Sequence, residues 1–160
     1  MRPTVLTSAM RAAYARTEYE AAGIAVRIGR RNAALDALLR AKGARHAGFV
    51  TAWNPFSHPM PRGWNERMLG RLREAARGRV VAEGWGRGEG WAERHLLIAG
   101  DPRWLARIAR RFRQHAMVVV APRHPARLRL GLTPSQAAPR DPLAAAAVPS
   151  AVGLSPSPSA

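Results

Sequence analysis

The stretch "HAGFVTAW", residues 46–53, constrains the fold more than any other part of this chain. A strand alternates its side chains between two faces, and here both faces are apolar. The segment therefore reads as an interior strand covered on both sides, or nearly so, which calls for a sheet with helices packed on it. The run stops at Asn54-Pro55, and Ser57 and His58 follow at once. A residue before proline is biased to extended backbone, so Asn54 is expected to be extended. Its side chain either closes a turn or points into a cleft at the carboxyl end of the strand, where open α/β sheets build sites. In the turn reading, Ser57 or His58 caps the next helix.

The flanking segments supply the remaining elements. Leu6, Met10, Ala13, Tyr14 and Thr17 recur at helical spacing, and Ile24, Val26 and Ile28 alternate as in a strand, with Gly23 marking a bulge or hairpin. A short helix is expected over 31–42, with Leu35, Leu38 and Leu39 on one face and Gly43 at its end. Pro61 suits the first turn of a helix over 60–77, whose buried stripe would be Trp64, Met68, Leu72 and Ala75. "RVVAEGW" and "WAERHLLIAG" read as a hairpin joined by "GRGEG". Asp101 caps a helix over 102–115, with Pro102 at its first position. "AMVVVAP" is a short strand, and "ARLRLGL" is a one-sided edge strand. The order is α-β-α-β-α-β-β-α-β-β, which implies a single α+β domain: one mixed β-sheet with helices packed on it. Residues 5–132 form the folded part. The Pro, Ala and Ser-rich stretch 133–160 lacks the large apolar groups that repay ordering entropy and is expected to be disordered.

Composition excludes some functions. With no cysteine, disulfides, thiolate catalysis and cysteine–zinc sites are ruled out. No apolar run approaches the ~20 residues of a membrane helix, and the N-terminus lacks a signal-peptide core, so a cytoplasmic location without a membrane partner is expected. The net charge is +16, and Lys42 is the sole lysine among 26 Lys+Arg. Such a balance fits a polyanion partner, and equally the codon bias of a GC-rich genome.

Four constellations carry chemistry. Asn54 and Ser57 lie at the end of the interior strand. Asn65 falls about 100° from Trp64 on the helical wheel, within the apolar arc of Met68 and Leu72, where an amide needs a partner: loop backbone or a ligand. In the hairpin, a five-residue loop sets Glu83 opposite Glu93, with His95 on the same face. Such a set needs an arginine between the carboxylates, a shared proton, which would make Glu93 an acid/base candidate, or a metal; a four-residue loop separates the carboxylates. No metal site is assigned. "GWGRGEG" fails as a dinucleotide fingerprint, because Glu89 occupies the third glycine position and the context is strand-to-strand. Last, residues 102–131 hold eight arginines and no acid. Arg103, Arg107 and Arg110 line one helix face, and with Arg127 and Arg129 they offer a ridge for a phosphate backbone, or an ordinary solvated surface.

"YARTEY", "RIG", "LDALL", "TAWNP-F-S", the Asn of "WNERMLGRL", "W-A-E" and "F-R-Q-H-A" occur in the order found in the bacterial domain of unknown function 3293, and the chain resembles that family from Tyr14 to the strand after Gln114. The matching positions are Tyr14, Thr17, Tyr19, Arg27, Thr51, Asn54, Pro55, Ser57, Asn65, Glu93 and Gln114. The chain departs from the family pattern at His95, where the pattern has serine, and at Arg113, where it has glycine. The resemblance implies no activity. It selects scattered polar positions, which packing alone would not mark, as contributors to one site. The expectation is a pocket for a small polar molecule, open to enzymatic use, with Asn54, Ser57, Asn65 and Gln114 binding and Glu93 as acid/base. The alternatives are nucleic-acid binding through the arginines and a structural module acting through a partner. No cofactor and no oligomeric state follow from the pattern.

Overall fold

A computed structural model of the chain describes residues 6–130. The expected tail over 133–160 lies outside the described residues. The elements are α1 (Ser8–Arg16), β1 (Glu18–Ala21), β2 (Ile24–Val26), α2 (Ala33–Ala41), β3 (Ala47–Thr51), a 3-10 turn (Pro55–Ser57), α3 (Arg62–Ala75), β4 (Val80–Gly88), β5 (Trp91–Ala99), α4 (Pro102–Arg111), β6 (Ala116–Val120) and β7 (Arg127–Leu130). This is a single α+β domain: seven strands in the order β2-β1-β4-β5-β3-β6-β7, with four helices.

The expected α+β class holds, with one refinement in the sheet. Every pair of named strands is antiparallel, so the sheet is antiparallel rather than the expected mixed one, and the segment expected as one strand at 24–28 is preceded by a partner, β1, with which it forms a hairpin through Ala22-Gly23. Both turn residues take positive φ, 51° and 77°, the backbone a two-residue hairpin turn requires. The parallel element is an isolated bridge, Ile28 to Ala126. It joins the two outer edges of the sheet: Gly29 N donates to Ala126 O at 2.8 Å and Ala126 N to Arg30 O at 3.0 Å. The sheet is therefore curled into a half-barrel that is tied at one end.

The curl gives the sheet a concave and a convex face. The concave core gathers Tyr19, Val26, Phe49, Leu97, Val118 and Val120 under Leu35 and Leu39 of α2. The convex core gathers Val50, Leu96, Ile98 and Met117 against Leu69 and Leu72 of α3 and Leu105 and Ile108 of α4. β3, at the centre, is covered on both faces, as its apolar run requires. Each fully buried Leu or Ile contributes roughly 1.5–3 kcal/mol of transfer free energy. α1 lies on the concave side, anchored by Leu6 and Met10 against Ala116.

Two helices differ from expectation in extent. α4 ends at Arg111, because Arg113 at φ 55° stops it: Arg113 N bonds Arg110 O and Gln114 N bonds Ala109 O, a Schellman closure. α3 begins at Arg62, and its buried stripe is Asn65, Leu69 and Leu72, with Trp64 at the margin. Asn65 thus sits in the middle of the buried face rather than beside it.

Candidate functional site

The hairpin register decides which chemistry is available. β4 runs on through Gly88, and the loop is only Glu89-Gly90, so Gly86 lies opposite Glu93 and Glu83 opposite Leu96. The five-residue-loop register, with Glu83 facing Glu93, is therefore corrected: the carboxylates lie on opposite faces of the sheet. The physical reason is the glycine alternation. Gly84, Gly86 and Gly88 are strand residues on the concave face, not loop residues. A Cβ at Gly84 would overlap the Glu20 carbonyl, and one at Gly88 would overlap the Trp91 indole. Bare backbone at these positions lets β1 fold closely over β4 and leaves space above Glu93 and His95.

On the convex face Glu83 accepts from Arg94 at 2.7 Å and from Arg73 at 2.9 Å, and Arg94 also pairs with Glu66 at 3.0 Å. On the concave face Glu93 has no cationic partner among the described residues. Its Oε1 accepts from Asn54 Nδ2 at 2.7 Å. Burial pushes its carboxyl up from the ordinary value, with the Asn54 bond pulling the other way.

Asn54 is held by four hydrogen bonds. Its N–H donates to Asn65 Oδ1 at 3.0 Å, and its Oδ1 accepts from Asn65 Nδ2 at 2.9 Å and from Met60 N at 2.9 Å; Nδ2 goes to Glu93. This network overrides the pre-proline bias. Asn54 is not extended but left-handed, at φ 47° and ψ 66°. Phe56 and Ser57 are left-handed too, at φ 50° and 62°, and Arg113, whose carbonyl accepts from Phe56 N at 2.7 Å, is at 55°. Each such non-glycine residue costs roughly 1–2 kcal/mol, and the four adjoin one another. Asn65 is 3% exposed, and its Nδ2 also donates to Met60 O at 3.2 Å. Its amide is fully used on the loop, so it positions Asn54 rather than lining the space beyond.

That space is a cavity of about 80 Å³, lined by the polar residues Asn54, Ser57, Glu93, His95, Gln114 and His115 and walled by Tyr14, Tyr19, Phe49 and Trp91. His95 forms a triangle of rings with Tyr19 and Phe49, at centroid distances of 6.2 and 4.9 Å, with the two partners 5.8 Å apart. Its Nε2 is 2.6 Å from the Glu20 carbonyl oxygen, the contact that Gly84 permits. Burial lowers its pKa from 6.5 to about 4, outweighing the Glu20 contact. Burial also raises the phenols of Tyr14 and Tyr19, with charge on Glu93 adding to both and the neighbouring Tyr14 adding to Tyr19. The Tyr19 hydroxyl is buried without a hydrogen-bond partner; Thr17 lies alongside, but its hydroxyl donates to Ala13 O. His115 is 5% exposed with neither ring nitrogen partnered. Its pKa is lowered by burial; the nearby Phe56 backbone opposes this without forming a bond of proper geometry. Gln114 donates its amide to Trp53 O and Phe112 O, at 3.1 Å each.

The structure thus brings Asn54, Ser57, Glu93 and Gln114 to one cavity and places Asn65 one layer behind. It adds Tyr14, Tyr19, His95 and His115. Tyr14 and Tyr19 are among the positions of the family resemblance, and His95 shares a face with Glu93 by the period of two. His115 lies in "F-R-Q-H-A", next to Gln114, but is not among those matching positions. Among the described residues no group of three or more His, Asp or Glu is placed to hold a metal, and Glu83, Glu93 and His95 do not assemble. Arg103, Arg107, Arg110, Arg127 and Arg129 are exposed and far from this chemistry in the sheet order. No helix among the described residues is long and apolar enough to cross a membrane.

Fold and cavity define a small α+β half-barrel with an enclosed polar site. Residues 50–117, from β3 to the start of β6, match the family model described as "Protein of unknown function (DUF3293)". The matched span holds Asn54, Ser57, Asn65, Glu93 and Gln114; Tyr14 and Tyr19 lie before it. No curated protein and no solved structure matches the chain.

Proposed function

We propose that the chain binds a small polar molecule in the Glu93 cavity, with Glu93 as the acid/base group of any reaction there. One observation carries this reading: a half-buried carboxyl with no cationic partner among the described residues lines a cavity shared with the unpartnered polar groups of Tyr19 and His115. Native interiors seldom leave such groups unpaired, and sites for ligands are where they do. The left-handed backbone at Asn54, Phe56, Ser57 and Arg113 supports it, since strain of this kind gathers at binding and catalytic sites. The test is a thermal-shift screen of the whole chain against metabolites, nucleotides and divalent metals, repeated on Glu93→Gln. A ligand at a hundred times its Kd should add about 2.7 kcal/mol of stability to the parent. Shifts of equal size in Glu93→Gln would place binding elsewhere and defeat the reading.

A second reading, binding of a nucleic-acid backbone, is supported by the placement of the arginines. Arg127 and Arg129 pair with Val119 and Met117, whose side chains pack against the convex core, so they project on the same side of the sheet as α4 and its exposed Arg103, Arg107 and Arg110. A titration with a short duplex against salt tests it. Replacing the three α4 arginines by alanine should weaken binding and reduce the salt slope by about 3. An unchanged slope counts against it.

A further inference from the structure

The hydrogen-bond roles of the cavity's polar atoms restrict what chemistry can complement them. The Glu20 carbonyl oxygen only accepts, so His95 carries its proton on Nε2, and Nδ1 is left as an acceptor. The Gln114 NH₂ serves two carbonyls, so Oε1 is left as an acceptor. Glu93 uses Oε1 on Asn54, and Oε2 makes no hydrogen bond among the described residues. With Glu93 ionised, three atoms on residues that line one cavity thus accept. The hydroxyls of Tyr14, Tyr19 and Ser57 serve in either direction, and His115 supplies one donor in its neutral form.

Charge and wall chemistry agree with this account. No arginine and no lysine lines the cavity, although the chain holds 26 of them. An anion would meet Glu93 with no positive group to receive it. The walls of Tyr14, Tyr19, Phe49 and Trp91 present aromatic rings, whose faces attract cations. The volume, about 80 Å³, suits a head group of a few heavy atoms.

We propose that the cavity receives the ammonium or guanidinium head of a small organic cation, its N–H groups donating to Glu93, His95 Nδ1 and Gln114 Oε1 over an aromatic wall. This rests on the small-polar-ligand reading above and specifies its ligand class. It is distinct from the arginine ridge, which takes the opposite charge on the opposite face.

The experiment is an NMR titration of the full chain at neutral pH with four probes of similar size: methylammonium, methylguanidinium, acetamide and acetate. The cations should bind saturably at resonances around the cavity, and acetate should not. Glu93→Gln should weaken the cations by about tenfold or more, the loss expected for a charged hydrogen bond. Tyr19→Phe, which removes a hydroxyl with no partner to lose, keeps the fold and should weaken them by a smaller factor. A lysine derivative blocked at both backbone ends, compared with methylammonium, separates a head delivered on a side chain from a free amine; saturable binding of either at the cavity supports the proposal. Tighter binding of acetamide or acetate than of either cation overturns the cation assignment while leaving a polar-ligand pocket. Cation binding undiminished in both variants overturns the site. Failure of all four probes, with no hit in the thermal-shift screen, overturns the pocket reading itself.

Discussion

Glu93 and Arg94 are neighbours on one strand, and they meet opposite electrostatic fates. Arg94 points to the convex face and bridges Glu83 and Glu66 in a half-exposed ion network. Glu93 points to the concave face and, among the described residues, has only the Asn54 amide as partner, in a cavity edged by left-handed backbone. A chain with so large an excess of arginine satisfies its carboxylates easily, as Glu18, Asp36, Glu66, Glu74 and Glu83 show. Glu20, Glu89 and Asp101 also make no ion pair among the described residues, but of these four carboxyls Glu93 is the one that lines the cavity: the convex face is built for stability in water, whereas the concave site keeps groups unpaired at a cost in stability.

The contrast breaks most severely at Gly84. Gly84→Ala would drive a methyl group into the Glu20 carbonyl, separate β1 from β4 and remove the anchor of His95. The expected loss is ~3 kcal/mol or more, read from chemical denaturation, and a near-neutral result would refute the close approach. Next is the acid limb. His95 is neutral in the fold, with a pKa lowered from 6.5 to about 4. Its contribution is present above 6.5 and is lost as pH falls from 6.5 towards 4, amounting to ~3 kcal/mol. His95→Gln, which preserves a donor to Glu20 O, should flatten that part of the stability–pH curve. Glu93 has the opposite sign: its raised pKa favours the protonated fold, so its contribution fades as pH rises through the folded value.

Asn65→Ala leaves the buried Asn54 N–H without its acceptor and removes one of the donors to Asn54 Oδ1. A loss of ~1–3 kcal/mol is expected, together with weaker binding of any cavity ligand, because Asn54 then no longer holds Glu93. Stability loss with ligand affinity unchanged would separate the asparagine pair from the site. Arg113→Gly should stabilise by about 1 kcal/mol, since glycine takes φ 55° without strain. The smallest effect belongs to the convex network. Glu83→Gln should change stability by ~0.5 kcal/mol at low salt and less at high salt. A loss comparable to that of Asn65→Ala would erase the proposed difference between the faces.

Much of the fold was legible because it follows from local periodicity. The two-sided apolar run of β3, the cap Asp101 and the Leu stripe of α2 all sit where their chemistry requires. The site was legible in part. Asn54, Ser57, Glu93 and Gln114 stood out as polar groups at element ends, and they do meet. The Glu83–Glu93 pair did not survive, because register depends on where a loop begins, and glycines read as loop proved to be strand.

The sequence by itself determined the α+β class, the burial of the central strand and the acid-free run of arginines over 102–131, since each depends on spacing along the chain. Only the tertiary structure decided that Glu93 would be left without a cation, that Asn65 would hold Asn54 rather than a ligand, and that Tyr14, Tyr19, His95 and His115 would complete the cavity. Those outcomes depend on the curl of the sheet. The absence of a side chain at Gly84 permits the close approach of β1 within that curl, which brings together residues a hundred positions apart that no local pattern connects.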